Sequence, residues 1–197
     1  MRTITRKISD EIIVNKSKFI TILYPIINDD EINKNLIEIK NEYTGATHYC
    51  FAYIVNGKEK CSDDGEPSGT AGTPILNILK NNDLTNVLCV VVRYFGGIKL
   101  GAGGLVRAYA NSVKEALNKC SFGILVPGYE VTIEFDYDNI KSIDYILKNI
   151  DVVKKFDDKV IYKFKIEKNV FDGFLDNIKM YSDILHKEEI VIIKDDN

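Results

Sequence analysis

The chain has 197 residues, 26 Lys+Arg against 29 Asp+Glu, a formal net charge of −3 and 45% apolar residues. That composition belongs to an ordinary globular protein and gives no overall basic field for nucleic acid. DNA sequence readout is not expected on that charge, and the apolar run Val87-Leu88-Cys89-Val90-Val91-Val92 is far too short to span a bilayer, so no membrane partner is expected either.

In chain order, strands are expected at Arg2–Ile8, Ile12–Val14 and Ser17–Pro25, followed by a helix from Asp29 or Asp30 to Glu42 with Ile32, Leu36 and Ile39 inward. A strand follows at Thr47–Val55. A second helix follows Gly72, with Pro74 in its first turn where proline is tolerated, and with Ile75, Leu76, Ile78 and Leu79 apolar. Asn86–Arg93 reads as a buried strand. A third helix runs from about Gly103 to Lys119 with Leu105, Val106, Tyr109, Val113, Ala116 and Leu117 inward, and Phe122–Val126 is a further strand. These elements make a layered α/β sandwich.

Val126-Pro127-Gly128 is the expected boundary, because Pro followed by Gly breaks both helix and strand. The charge balance changes sign there: residues 1–127 carry 15 Lys+Arg against 13 Asp+Glu, and residues 128–197 carry 11 against 16. Beyond it, Tyr129–Tyr137 alternates as a strand with Val131, Ile133 and Phe135 on one face. Asp138 is placed to cap a helix carrying Ile140, Ile143, Ile146 and Leu147. Val152-Val153 opens another strand, Asp157-Asp158 turns into the alternating stretch Lys159–Lys168, Asn169 is placed to cap a second helix, and Ile190–Ile193 is the last strand. The order β-α-β-β-α-β is the split βαβ, ferredoxin-like pattern. The expected fold class is therefore α+β in two domains, 1–127 and 128–197.

Cys50, Cys61, Cys89 and Cys120 form no C-x-x-C pair, and the chain start lacks the apolar core of a signal peptide. Reduced, mostly buried thiols and a cytoplasmic location are expected. Zinc is not, since His48 and His186 have no finger spacing relative to the cysteines.

Eight of the 13 glycines fall between Gly65 and Gly104, in two blocks. The second has the form strand, glycine loop, helix. Gly96, Gly97, Gly101, Gly103 and Gly104 sit where a helix begins, and a helix start offers free N–H groups and the positive end of its dipole to an anion. The spacing is neither a Walker A loop nor G-x-G-x-x-G, so a tight loop that only needs positive φ is the simpler account and phosphate binding the sharper one. Only four of the basic residues are Arg, and Arg93 and Arg107 flank this block with Lys99 inside it. Either a phosphate contact or an ion pair with Asp63, Asp64 or Glu66 accounts for the two arginines.

The first block holds those three carboxylates within four positions, a set that could accept Mg²⁺, although the EF-hand pattern is absent. Ser68, Thr70 and Thr73 are helix-cap candidates for the helix after Gly72. His48 is the one base near them, and Gly65-Glu66-Pro67-Ser68-Gly69 is not a nucleophile elbow, so hydrolase chemistry is not expected. His48 itself reads more simply as a packed, hydrogen-bonded residue.

Ala46-Thr47-His48, then Ser62–Gly72, then Val92-Arg93-Tyr94-Phe95-Gly96-Gly97-Ile98-Lys99-Leu100-Gly101-Ala102-Gly103-Gly104-Leu105-Val106-Arg107-Ala108-Tyr109 resemble the signature of the YigZ/IMPACT family, and Ser17–Ile20 fits its N-terminal strand. The resemblance implies an Impact-type first domain folded like the second domain of ribosomal protein S5. It also implies a ferredoxin-like second domain similar to the last domain of elongation factor G. It carries no agreed catalytic residues, and no cofactor is expected outside the Mg²⁺ of the enzyme reading below. It does imply a link to translation, since eukaryotic IMPACT proteins regulate translation by competing for the activator of a starvation kinase.

Two functions are consistent with these residues. One is a non-enzymatic, translation-associated protein that contacts the ribosome, RNA or a translation factor through Arg93, Tyr94, Lys99, Arg107 and the glycine loop. The other is an enzyme acting on a nucleotide or another phosphorylated small molecule, with Mg²⁺ on Asp63, Asp64 or Glu66.

Overall fold

A computed structural model describes residues 2–195. The chain divides into two compact units, one running through Ile124 and the other covering Leu125–Lys194. The class is mixed α+β.

The first unit is built on an antiparallel sheet of strands β2 (Ile8–Val14), β3 (Ser17–Pro25), β4 (His48–Val55), β5 (Lys58–Ser62) and β6 (Val87–Tyr94), in the order β2-β3-β6-β4-β5. The central strand β6 is apolar on both faces, as a strand covered on both sides must be. Val87, Cys89 and Val91 join the core beneath helices α2 (Gly72–Asn81) and α3 (Gly101–Leu117), whereas Leu88, Val90 and Val92 pack under α1 (Asp30–Glu42). A short strand β1 (Arg2–Ile4) pairs with the first residues of β7 (Phe122–Phe135), Arg2 against Ile124 and Ile4 against Phe122.

In the second unit, the later part of β7 pairs antiparallel with β9 (Val160–Glu167), β8 (Val152–Phe156) lies beyond β9, and β10 (Asp183–Asp195) pairs with β7. Helices α4 (Ile140–Ile146) and α5 (Lys168–Tyr181) close one face over a core that includes Val131, Ile133, Tyr162, Phe164, Phe171 and Ile178.

The structure departs from the sequence-based expectations at several points. The stretch Arg2–Ile8 is two strands, not one. β5 was not anticipated. Asp138 and Asn169 do not cap their helices: a 3-10 turn at Tyr137–Asn139 leads into α4, and α5 opens from Glu167 without a side-chain cap. Pro127-Gly128 does not end the strand, for β7 runs through it. Gly128 is required there, because a Cβ would collide with the Ile192 side chain and stand 2.8 Å from the Ile166 carbonyl oxygen. Val106 is exposed, since the buried stripe of α3 runs through Leu105, Ala108, Tyr109 and Ser112 and leaves Val106 to one side.

Candidate functional site

Strand parity decides where Arg93 points. It follows Val87, Cys89 and Val91 on the α2/α3 face of β6, and the ladder sets it in one row between Phe19 of β3 and His48 of β4. Arg93 therefore faces the interior and not solvent. Its Nη1 donates to Glu66 Oε1 at 2.5 Å, with 6% of the Arg93 side chain and 3% of the Glu66 side chain exposed. Its Nη2 reaches Ser17 Oγ at 3.4 Å, and Nε is buried without a partner among the described residues. The guanidinium lies between the rings of Phe19 and Phe95, 5.4 and 5.5 Å from their centroids. Of the two roles open to Arg93 in the sequence, the ion pair with Glu66 is the one the geometry holds.

Glu66 is the hub of this cluster. Tyr109 of α3 donates its hydroxyl to Glu66 Oε1 at 2.8 Å, and His48 Nε2 stands 3.8 Å from Oε2. The other ring nitrogen of His48, Nδ1, is 2.8 Å from the Asp64 carbonyl oxygen, which can only accept, so Nδ1 is the donor of that bond. Burial pushes the Tyr109 phenol far above its ordinary range, so it stays neutral and acts as a donor. The Cys50 thiol is 3.3 Å from that hydroxyl and is pushed up to about 12, chiefly by burial. It is a packed thiol and not a nucleophile.

The other two carboxylates of the first glycine block serve the backbone. Asp63 Oδ1 accepts from the amides of Ala71 and Gly72 at 3.0 and 2.8 Å, and Oδ2 from that of Gly69 at 2.9 Å. Asp63 thus fills the N-terminus of α2, where Ser68, Thr70 and Thr73 were expected to cap. Instead Thr70 donates to the Pro67 carbonyl at 2.6 Å, and Ser68 and Thr73 are exposed. Asp64 Oδ2 accepts from the Tyr49 amide at 2.6 Å. Asp64, at φ +43, and Gly65, at φ +86, make the left-handed turn that lets neighbouring carboxylates serve separate partners. The three do not converge, and among the described residues no group of His, Cys, Asp or Glu has a metal-holding arrangement.

The second glycine block is open where the first is closed. Gly96 is pinned: its amide donates to Ser17 Oγ at 3.2 Å, and a Cβ would overlap the backbone of Lys16 and Ser17. Gly97 and Gly101 take φ of +84 and +70, which explains glycine at both. α3 opens at Gly101, two residues before Gly103, and no side chain caps it. Arg107 folds back along the helix so that Nη1 lies 3.8 Å from where a Gly103 Cβ would stand, and Gly104 packs against Leu100. Lys99 and Arg107 are exposed, and neither has an ion-pair partner among the described residues. Tyr94 is half-buried, its hydroxyl donating to the Thr44 carbonyl at 3.2 Å. The candidate anion contacts thus reduce to Lys99, Arg107 and the first turn of α3. Phe95, which the sequence offers beside Tyr94 as a stacking candidate, is exposed, whereas the exposure of Ile98 and Lys16 is visible only in three dimensions.

No helix among the described residues is long and apolar enough to cross a membrane. Residues 15–117 match the family model described as the Impact N-terminal domain. The chain is 50% identical over 111 residues to the IMPACT family member YvyE of Bacillus subtilis, a match covering 55% of this chain and about half, 51%, of that protein. It is 35% identical over 143 residues to the IMPACT family member YigZ of Escherichia coli, covering 70% of each. A crystal structure described as that of a hypothetical protein superposes on 95% of this chain and 97% of its own at a TM-score of 0.63 and 27% identity. With the Impact model over more than half its length and these relatives beside it, the chain belongs to the YigZ/IMPACT family.

Proposed function

We propose that the chain is a non-enzymatic, translation-associated binding protein that engages the ribosome, RNA or a translation factor through the start of α3. Its family supports the link to translation. The contrast between the two glycine blocks supports the binding surface: the carboxylates of the first are each engaged by the protein's own groups, whereas Lys99, Arg107 and the uncapped first turn of α3 face solvent. That contrast carries the reading, because free cations beside a helix N-terminus attract negatively charged groups without reading sequence.

Salt-dependent co-sedimentation with ribosomes and with total RNA tests it. The paired change Lys99→Ala with Arg107→Ala should abolish the salt-sensitive part of binding while leaving thermal stability unchanged. Equal binding by a folded double variant would move the contact elsewhere.

A further inference from the structure

The stretch from Phe95 to Arg107 exposes three large apolar side chains: Phe95 at 47%, Ile98 at 44% and Val106 at 38%. It contains Lys99 and Arg107 and no Asp or Glu. Gly96 brings the backbone of exposed Lys16, in the β2–β3 turn, against the same loop. Cations therefore accompany exposed hydrocarbon, with no acid in that loop to neutralise them.

From this composition we infer that the segment is a docking surface for an acidic protein segment carrying its own apolar side chains. The inference rests on the binding role proposed above and names the chemistry of the partner. Two observations favour protein over RNA. The exposed apolar groups include the aliphatic Ile98 and Val106, which gain from burial against other side chains but offer no flat ring for a base. Tyr94 is half-buried with its hydroxyl committed to Thr44, and Phe95, the exposed ring of the stretch, already carries the Arg93 guanidinium 5.5 Å from its centroid. An acidic partner answers Lys16, Lys99 and Arg107 by charge complementarity, which sets register and association rate, while apolar anchors supply the affinity.

One end of the surface is anchored. Gly96 is held by Ser17, so the backbone at the start of this loop has little ordering cost left to meet on binding.

The test uses the full chain and two fluorescent probes: a synthetic peptide with Leu and Phe on one helical face and Glu on the other, and a single-stranded oligouridylate. The peptide should bind, and Ile98→Ser together with Val106→Ser should weaken it about tenfold or more, the loss expected when central apolar contacts are removed. These two positions are chosen because Phe95 also covers Arg93 and its truncation could disturb folding. Lys99→Ala with Arg107→Ala should weaken the peptide too, and more at low salt than at high. If oligouridylate binds and the peptide does not, the inference fails while the proposed function stands. If the peptide binds but Ile98→Ser with Val106→Ser leaves it unchanged, the surface is wrong. If neither probe binds and ribosome co-sedimentation is also absent, both readings fall.

Discussion

Glu66 and Arg93, 27 residues apart in sequence, meet at 2.5 Å with almost no exposure of either side chain. Removing one partner of such a pair leaves the other as a lone buried charge. Arg93→Met should therefore cost about 3–5 kcal/mol, and the double change Arg93→Met with Glu66→Leu should recover part of that loss. Urea unfolding measures both. A cost below about 1 kcal/mol for the single change would mean the pair behaves as a surface contact.

The Asp63 carboxyl is raised by burial, but the amides of Gly69, Gly72 and Ala71 outweigh this and hold it below its ordinary value of 3.8. A carboxyl depressed in the folded state contributes stability that is fully present above its unfolded value and is lost as pH falls through the folded one. Asp63→Asn should flatten the acid limb of the stability profile below about pH 4 and lower stability at neutral pH. Thermal melts across pH test this; an unchanged acid limb would show that other carboxyls govern it.

Gly96→Ala and Gly97→Ala separate two reasons for glycine. At Gly96 the added methyl strikes the backbone of Lys16 and Ser17, and overpacking of this kind costs about 1–3 kcal/mol or more. At Gly97 nothing lies within 4 Å, and only the φ of +84 opposes a side chain, at about 1–2 kcal/mol. Melting temperatures should fall further for Gly96→Ala. The reverse order would mean that the β2–β3 turn yields easily.

Burial raises the thiols of Cys50, to about 12, and of Cys120, to about 11, and pushes fully buried Cys89 higher still. Thiolate is the reactive form, so a disulfide reagent at mildly alkaline pH should leave the buried Cys50 and Cys89 unmodified until the chain is unfolded, and should reach half-buried Cys120 more slowly than a free thiol. Rapid labelling of Cys50 in the native protein, read by mass spectrometry, would contradict the packing around Tyr109.

Most elements were legible because their apolar patterns are strong, as in the continuous run of β6 and the helical stripe of α3. β5 was missed because Lys58-Glu59-Lys60-Cys61-Ser62 has no apolar alternation; it is an edge strand with little to bury. Its signal lay in Asn56-Gly57, both at positive φ, the dipeptide that favours a two-residue hairpin. The inward turn of Arg93 was also readable, since it shares parity with Cys89 and Val91, although its place at the end of β6 beside the glycines also fits an outward cation. What Asp63 does was not readable. Its partners lie six to nine residues ahead, and nothing local distinguishes a carboxylate that caps a later helix from one offered to a metal.

The contact of Gly96 with Lys16 and Ser17 has a consequence for how this surface can vary between descendants of one gene. The hairpin and the glycine loop share a boundary with no slack, so an insertion in one must be matched by reshaping of the other. Drift at the two places should be coupled, and a loop transplanted without its hairpin should arrive misshapen.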